Sequence, residues 1–243
     1  MKVVESFFSI QGEGRYAGRF AYFARLFGCN LSCPGFGVRR VLPSGREIIG
    51  CDTIRAVNGE FGYSNLKAND LLEEVSNLIS NLNVKPLVVV TGGEPLLWQR
   101  DEDFRAFVAG ALDMGCAVQF ETNGTIAPDF KFEPLKKCVF AVSPKLSFSG
   151  EAREKRLKFE NLKAIFGGAD AFYKFVTSGA RGELAEIDEI LGEQAGETWL
   201  MPLGASEREL AANAARVARV CVERGFNYSD RLQIRLWNTK EGV

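Results

Sequence analysis

The sequence LVVVTGGEP, at residues 87–95, passes from an unbroken apolar run into a turn of glycine and polar residues. A short apolar run followed at once by glycine and proline indicates a buried strand. Two further runs repeat the pattern, with AVQF at 117–120 leading into ETNG and VFAV at 139–142 leading into SPK. Because parallel strands end at a shared edge, the three segments predict one common cleft. Each segment alone is equally well explained as an ordinary turn.

Outward from these segments, apolar runs alternate with stretches of helical period. The predicted strands span 19–27, 87–91, 117–121, 139–143, 171–176, 198–202 and 232–237. Helices are predicted over 70–82 and 101–114, and Ser206 with Glu209 marks the start of another that ends near Gly225. The alternation predicts an α/β fold, an incomplete (partial) TIM-like barrel of parallel strands with outer helices. We expect a single domain over 1–243, with an insertion at 34–50.

The composition is that of an ordinary folded protein of mixed charge. Of 243 residues 46% are hydrophobic and 25% are charged, with 30 basic and 31 acidic side chains. The formal net charge of −1 gives no electrostatic argument for nucleic acid or an anionic membrane as a partner. No apolar run is long enough to span a bilayer, and the first residues lack the pattern of a secretory signal. We therefore expect a cytoplasmic protein.

The cysteines are the most informative side chains, because the chain has six of them and no histidine. Without histidine, His-based zinc sites and Cys–His nucleophile pairs are excluded. Three residues separate Cys29 from Cys33, and 17 separate Cys33 from Cys51. Three thiolates in one loop suit a 4Fe-4S cluster with one iron open to a small molecule, but spacing alone supports unrelated free thiols about equally. The remaining cysteines lie in apolar stretches and are interpreted as buried and structural: Cys116, Cys138 and Cys221.

The cysteine loop belongs to a wider resemblance. The segments FARLFGCNLSC at 23–33 and CDT at 51–53 resemble the cluster segment of radical S-adenosylmethionine enzymes. Together with SIQGEG at 9–14, the three strand-end segments and RLQIRLW at 231–237, they resemble the 7-carboxy-7-deazaguanine synthase family from Ser9 almost to the last residue. Two departures stand out. The superfamily spacing is C-x3-C-x2-C, whereas the insertion here precedes Cys51, and Gln233 stands where the family often has histidine.

The resemblance implies a reaction and its cofactors. A reduced 4Fe-4S cluster cleaves S-adenosyl-L-methionine to a 5′-deoxyadenosyl radical, which abstracts hydrogen from 6-carboxy-5,6,7,8-tetrahydropterin. The ring contracts with loss of ammonia to 7-carboxy-7-deazaguanine, Mg²⁺ assists, and the product feeds queuosine biosynthesis, a tRNA modification pathway. A reductant such as flavodoxin and a homodimeric assembly are expected. Arg39, Arg40 and Arg46 of the insertion are candidates for docking an acidic electron donor, although a solvated loop is the more common explanation of such charges.

The resemblance also implies roles for individual residues. The cluster ligands are Cys29, Cys33 and Cys51, and Thr53 matches the Mg²⁺ ligand. Residues matching the cosubstrate site are Gly92, Gly93, Glu94, Asn123, Ser143, Pro144 and Lys145. Residues matching the pterin site are Ile10, Gln11, Gly12, Arg25, Thr91 and the terminal Val243. A surface salt bridge is the alternative for Glu94, a strand-edge salt bridge for Arg25, and plain solvation for Lys145.

Two other functions share part of this sequence pattern. A radical enzyme that activates a partner polypeptide by abstracting a glycine hydrogen would use the same cysteine loop and GGEP segment, but it would not need SIQGEG. A zinc-binding or thiol-rich module without catalytic activity would need neither the GGEP segment nor SIQGEG. Metal analysis that finds zinc without iron and sulfide would identify such a module.

Overall fold

The structure is a computed structural model in which residues 1–238 and 240 are described. The strands within these residues are β1 (Lys2–Ile10), β2 (Phe20–Leu26), β3 (Val38–Val41), β4 (Glu47–Gly50), β5 (Ser64–Asn65), β6 (Leu87–Gly92), β7 (Ala117–Thr122), β8 (Val139–Val142), β9 (Asp170–Thr177), β10 (Thr198–Pro202) and β11 (Asn227–Tyr228). The helices are α1 (Ala68–Leu82), α2 (Glu102–Asp113), α3 (Arg153–Arg156), α4 (Phe159–Gly168), α5 (Arg181–Glu193), α6 (Glu207–Arg224) and α7 (Leu232–Trp237).

One sheet organises the molecule, with the strand order β11-β10-β9-β8-β7-β6-β2-β1-β5. Seven strands of this sheet run parallel: β2, β6, β7, β8, β9, β10 and β11. Strands β1 and β5 are added in antiparallel fashion at one end. In the described part of the chain the sheet does not close, because β5 and β11 form its two edges. The prediction of a partial barrel of parallel strands with outer helices is therefore confirmed.

The main core lies between the sheet and its outer helices. It contains fully buried aromatic side chains from several strands, among them Tyr22, Phe120 and Phe140. Helix α1 directs Leu71 and Val75 into this core, as its helical spacing predicts. A smaller apolar group on the inner face of the sheet, built from Ala21, Phe23, Leu87 and Val89, fills the space beneath the carboxyl edge.

The helix ends follow the capping signals of the sequence. Gly115 has φ +76° after α2, and its N–H and that of Cys116 donate to the carbonyls of Leu112 and Ala111, the pattern of a Schellman cap. Ser206 accepts the N–H of Glu209 at the start of α6, and Gly225 has φ +68° at its end. None of the described helices has the length and apolarity needed to cross a membrane.

Two parts of the fold differ from the sequence-based prediction. The predicted strand at 232–237 is the helix α7, since the alternation of Leu232, Ile234 and Leu236 imitates a strand while only Ile234 is fully buried. Strand β1 lies outside the predicted strands. Its side chains are mostly half-buried on both faces, so its sequence carries no clear alternation.

The insertion at 34–50 contains an ordered antiparallel hairpin of β3 and β4. Val38 pairs with Gly50 at its open end, and the turn at 42–46 closes it. Because a hairpin returns the chain to its starting point, the insertion leaves Cys33 and Cys51 beside each other in space despite their separation in sequence.

Candidate active site

A cavity of about 520 Å³ opens at the carboxyl edge of the parallel strands. Glu94 and Pro144 are buried outside its lining, and Val243 lies outside the described residues. The structure thus brings the three polar segments to one cavity, while the ligand that each residue binds stays a prediction. The predicted site residues that line it are Ile10, Gln11, Gly12, Arg25, Cys29, Cys33, Cys51, Thr53, Thr91, Gly92, Gly93, Asn123, Ser143 and Lys145.

Three cysteines border this cavity: Cys29, Cys33 and Cys51. The Sγ of Cys29 accepts the N–H of Leu31 at 3.4 Å, and the Sγ of Cys51 lies 3.3 Å from the hydroxyl of Thr53. Cys33 is buried and has a left-handed backbone, with φ +47° and ψ +53°. The side chains of three short loop segments therefore converge on one space.

The thiols are poorly suited to ionise without a cation nearby. Burial raises the pKa of Cys29 to about 11 and that of Cys33 to about 12, and it also raises the pKa of Cys51. Among residues 1–238 and 240, no three His, Cys, Asp or Glu side chains are close enough to hold a single metal ion. A cluster binds each thiolate through a different iron and so needs a wider set of thiols than one ion does. Three soft thiolate donors that border one cavity suit an iron–sulfur cluster, with each thiolate on its own iron.

Asn123 connects the loop after β7 with the cysteine loop. Its Nδ2 donates to Oδ1 of Asn30 at 3.0 Å and points toward the Sγ of Cys29 at 3.9 Å. Asn30 in turn donates from Nδ2 to the hydroxyl of Thr125 at 2.7 Å. Asn123 is 5% exposed, and its hydrogen bond with Asn30 holds the cysteine loop against the end of β7. Its contact with the cosubstrate ribose stays a prediction.

Gly92 and Gly93 allow strand β6 to pass close to the cysteine loop. A Cβ on Gly92, whose φ is +134°, would lie 2.0 Å from the carbonyl oxygen of Leu26. A Cβ on Gly93 would lie 2.1 Å from the carbonyl oxygen of Gly28 and 2.7 Å from the Cβ of Cys29. Any side chain at either position would push the cysteine loop away from the strand. The two glycines are therefore explained by packing within the chain as well as by the predicted approach of the cosubstrate.

Glu94 is completely buried, which rules out the surface salt bridge considered from the sequence. Its carboxylate accepts hydrogen bonds from the hydroxyl of Thr122, from the N–H of Asn123 at 2.7 Å and from the N–H of Leu96 at 3.1 Å. Burial raises the pKa of Glu94 to about 7, against the effect of these hydrogen bonds. The carboxylate ties the segment after β6 to the end of β7.

The SPK segment supplies a cation to the cysteine end of the cavity. The ammonium of Lys145 donates to the hydroxyl of Ser143 at 3.1 Å and lies 5.9 Å from the ring centre of Phe36. Its charge opposes the burial effect on the pKa of all three cysteines of the loop. Pro144 is buried between these two residues and shapes the turn.

The opposite end of the cavity contains the residues predicted to bind the pterin. Arg25 donates from Nε to Glu5 at 2.7 Å, so the strand-edge ion pair considered from the sequence is present. Both partners are partly exposed and line the cavity. The hydroxyl of Thr91 donates to Glu121 at 2.9 Å, and Gln11 donates to the same carboxylate at 3.3 Å.

Beneath this end lies a largely buried network of charged side chains. The sequence-based prediction did not include these residues. The ammonium of Lys174 lies 2.8 Å from carboxylate oxygens of both Glu13 and Glu121. Arg231 donates from Nε to Glu13 at 3.0 Å and pairs with Asp52 through another nitrogen. A lysine within the apolar segment AFYKFV was the available signal in the sequence for such a network.

The network maintains its charges despite burial. Burial disfavours the carboxylate form of Glu13, yet Lys174 and Arg231 hold the pKa of Glu13 well below its ordinary value. Burial likewise disfavours the ammonium form of Lys174, yet Glu121 and Glu13 hold the pKa of Lys174 well above its ordinary value. The floor of the cavity is therefore a fixed array of ionised groups, suited to a polar ligand.

Gln233, where the family often has histidine, belongs to this network. Its Nε2 donates to Glu13 at 2.7 Å, and its buried Oε1 has no hydrogen-bond donor among the described residues. A Cβ on Gly12 would lie 1.9 Å from that oxygen, so Gly12 is required for α7 to approach this closely.

Thr53, the predicted Mg²⁺ ligand, lines the cavity, while the neighbouring Asp52 forms an ion pair with Arg231.

Two solved structures share this fold. The chain matches QueE from Escherichia coli with a TM-score of 0.61 and 21% identity, over 94% of this chain and 92% of that chain. SuiB from Streptococcus suis, solved in complex with S-adenosylmethionine, matches with a TM-score of 0.52 and 15% identity, over 74% of this chain and 47% of that chain. At these identities the two matches show the fold alone, a partial barrel of parallel strands with the cysteine-bordered cavity at its carboxyl edge.

The family follows from sequence comparison. A protein of Hyperthermus butylicus named 7-carboxy-7-deazaguanine synthase is 32% identical over 96% of this chain and 92% of its own length. No protein-family model matches the chain. The chain belongs to the 7-carboxy-7-deazaguanine synthase family and is a carbon–nitrogen lyase.

Proposed function

We propose that this enzyme converts 6-carboxy-5,6,7,8-tetrahydropterin to 7-carboxy-7-deazaguanine with loss of ammonia, as a step toward queuosine and related deazapurines. One observation carries the proposal. The cavity bordered by Cys29, Cys33 and Cys51 continues to a buried array of ionised side chains at its other end. On this proposal, a site for radical generation and a site for a polar, planar substrate would adjoin in one cavity.

Cys29, Cys33 and Cys51 would hold the 4Fe-4S cluster as thiolates. When bound, the cluster supplies the electron that cleaves S-adenosyl-L-methionine at the iron left without a protein ligand. Gly92 and Gly93 let the end of β6 pack directly against Leu26 and Gly28, and the methionine part of the cosubstrate would bind beside this strand end. Ser143 and Lys145 present a hydroxyl and an ammonium from the same side. The cation of Lys145 would compensate part of the negative charge of three thiolates.

The pterin would bind over the buried ionic network. Its amide and amine N–H groups require acceptors, which Glu13 and Glu121 provide, and its ring carbonyl requires a donor, which Lys174 provides. Arg25 would pair with the substrate carboxylate in bidentate geometry, and Ile10, Gln11, Gly12 and Thr91 would enclose the ring. Thr53 would contribute one oxygen ligand to a Mg²⁺ ion that keeps several waters. Val243 remains a candidate for contact with the substrate from sequence resemblance alone.

Anaerobic reconstitution with iron and sulfide tests the proposal directly. The loaded protein, incubated with S-adenosyl-L-methionine, dithionite, Mg²⁺ and the carboxytetrahydropterin, should yield 5′-deoxyadenosine and a product with the mass of 7-carboxy-7-deazaguanine. The control reaction omits the pterin and should form no deazaguanine product. Cosubstrate cleavage without product would retain the radical chemistry and reject this substrate, leaving a partner polypeptide as the next candidate. Zinc without iron or sulfide would reject the enzyme function altogether.

Flavodoxin is our proposed electron donor, and the hairpin of the insertion is its proposed docking surface. Arg39 lies on this hairpin and is largely exposed even though it pairs with Glu47.

We further propose that residues 1–243 form a single domain that includes the insertion at 34–50. We propose that this domain acts as a homodimer in the cytoplasm.

Reversing charge on the hairpin should weaken reduction by flavodoxin selectively. The double variant R39E/R40E replaces two cations with anions, which repel an acidic partner and reduce its rate of association. Arg39 and Arg40 also line the cavity, so we expect some loss with either reductant but a loss about tenfold larger with flavodoxin than with dithionite, a small reductant that needs no docking surface. Steady-state rates with each reductant measure this, and the matched control is R208E, on helix α6. Equal losses with both reductants would contradict the docking role.

A further inference from the structure

The carboxylate of Glu151 holds the backbone turn that presents Cys33. Its Oε1 accepts the N–H of Cys33 at 2.9 Å and also that of Ser32. The side chain is only 7% exposed, although it lies in a loop well beyond the SPK segment. One carboxylate oxygen thus satisfies two successive backbone donors of the cysteine loop.

The turn needs this support because Cys33 has a left-handed backbone. For a residue other than glycine, this conformation costs roughly 1 kcal/mol or more and persists only where neighbouring contacts fix it. Further contacts from the same loop press on the turn: a Cβ on Gly35 would lie 1.7 Å from the carbonyl oxygen of Phe148, and the Phe36 and Phe148 rings meet edge to face at 5.2 Å. The segment 147–151 therefore acts as a brace behind Cys33.

Glu151 also brings a negative charge to the cysteines. The backbone N–H groups of Ser32 and Cys33 and the ammonium of Lys155 all face this carboxylate and favour its ionised form. Lys155 lies 3.1 Å from the other carboxylate oxygen and is half exposed, so it offsets the charge only in part. Glu151 and Lys155 therefore add a carboxylate and an opposing cation to the charge of Lys145 near Cys33.

We propose that Glu151 is a positioning residue that fixes the turn of Cys33 for cluster binding and, by its charge, makes the bound cluster harder to reduce, with Lys155 acting in the opposite direction. The inference rests on the proposed cluster of Cys29, Cys33 and Cys51. Negative charge beside a cluster stabilises the oxidised form, because reduction adds an electron. Glu151 would thereby set both the lifetime and the reduction potential of the cluster.

Substitutions at Glu151 and Lys155 that remove charges of opposite sign separate the effect of charge on the cluster from the structural role of Glu151. E151Q keeps an oxygen acceptor and removes the charge, K155M removes the opposing cation, and E151A removes the acceptor. E186Q is the matched control, because Glu186 also accepts a backbone N–H of this segment, from Ser147 at 2.7 Å, and pairs with Arg156. Two quantities are measured on anaerobically loaded protein: the midpoint potential by redox titration with electron paramagnetic resonance, and the rate of cluster loss to an iron chelator.

At a fixed solution potential, E151Q should raise the ratio of reduced to oxidised cluster about tenfold, which is a shift of about 59 mV for one electron. K155M should shift the potential the other way by less, and E151A should lose its cluster about tenfold faster than the parent. E186Q should change neither quantity. Shifts of the same sign for E151Q and K155M, or an E151A protein that retains its cluster like the parent, would overturn the inference while the proposed function stands. A parent protein that takes up no iron and sulfide would overturn both.

Discussion

Replacing Cys51 with alanine is expected to abolish cluster assembly and reductive cleavage of S-adenosyl-L-methionine. The thiol lines the same cavity as those of Cys29 and Cys33, and the hairpin of β3 and β4 brings it there. A cluster bound by two thiolates would have two open irons and a much weaker hold on the protein. We expect cosubstrate cleavage to fall by more than roughly 100-fold, beyond the loss that follows removal of a group supporting a metal ligand. Iron and sulfide analysis and the rate of 5′-deoxyadenosine formation measure the two effects.

Cys138→Ala is the matched control, because it makes the same chemical change in the core. Cys138 is 1% exposed, and its thiol donates to the carbonyl of Pro134 at 3.3 Å, outside the cavity. The variant should lose about 1 kcal/mol of stability and keep its iron and its activity. If Cys51→Ala retained cluster and cleavage like Cys138→Ala, Cys51 would not be the third ligand. The superfamily spacing, in which the third cysteine follows closely, would then require a different donor in this chain.

The arrangement of the site could be predicted where its residues follow strands. The apolar runs ending at Thr91, Glu121 and Ser143 identify buried strands, and parallel packing makes their ends neighbours. The same reasoning placed Cys29 at the end of β2. The hairpin within 34–50 was not predicted, although its two short apolar segments flank Pro43, Ser44 and Gly45, residues typical of a turn. Its arginines and glycines obscured the alternation, so only the structure explains how Cys51 returns to the cavity.

The partners of the buried charges were beyond the sequence because pairing is a property of tertiary packing. A lysine within AFYKFV signals a buried charge, but Glu13 is 161 residues from Lys174 and looks like a surface residue in its own segment. Nothing local indicates that the loop after β1 covers the end of β9, where the two side chains meet at 2.8 Å. The helix α7 was missed for a related reason. Its position is fixed by Arg231 and Gln233 reaching Glu13, contacts that a local hydrophobic pattern does not encode.

Replacing Lys174 with methionine is expected to cost about 3 kcal/mol of folding stability and to reduce product formation by more than roughly 100-fold. Methionine keeps an unbranched side chain, one heavy atom shorter than that of lysine, but leaves Glu121 and Glu13 without the cation that lies 2.8 Å from both. Breaking a buried ion pair from one side is costly because the remaining charge stays desolvated. Loss of a fixed donor beneath the proposed pterin site would reduce transition-state stabilisation in addition. Chemical denaturation and product formation by the loaded enzyme measure the two effects separately.

The pH dependence of this destabilisation identifies its cause. In the parent, the pKa of Glu13 is held below its ordinary value, so its contribution to stability is present above that value and is lost as the pH falls through the acid range. In the variant the pKa of Glu13 should rise, since Lys174 no longer favours the carboxylate, and protonation then relieves part of the penalty. K174M should consequently be destabilised more at pH 8 than at pH 5. The control K163M makes the same change at a lysine that is 43% exposed and pairs with Glu160, and its stability should stay close to that of the parent at both pH values. A destabilisation of K174M that is independent of pH would indicate lost packing in place of an uncompensated buried charge.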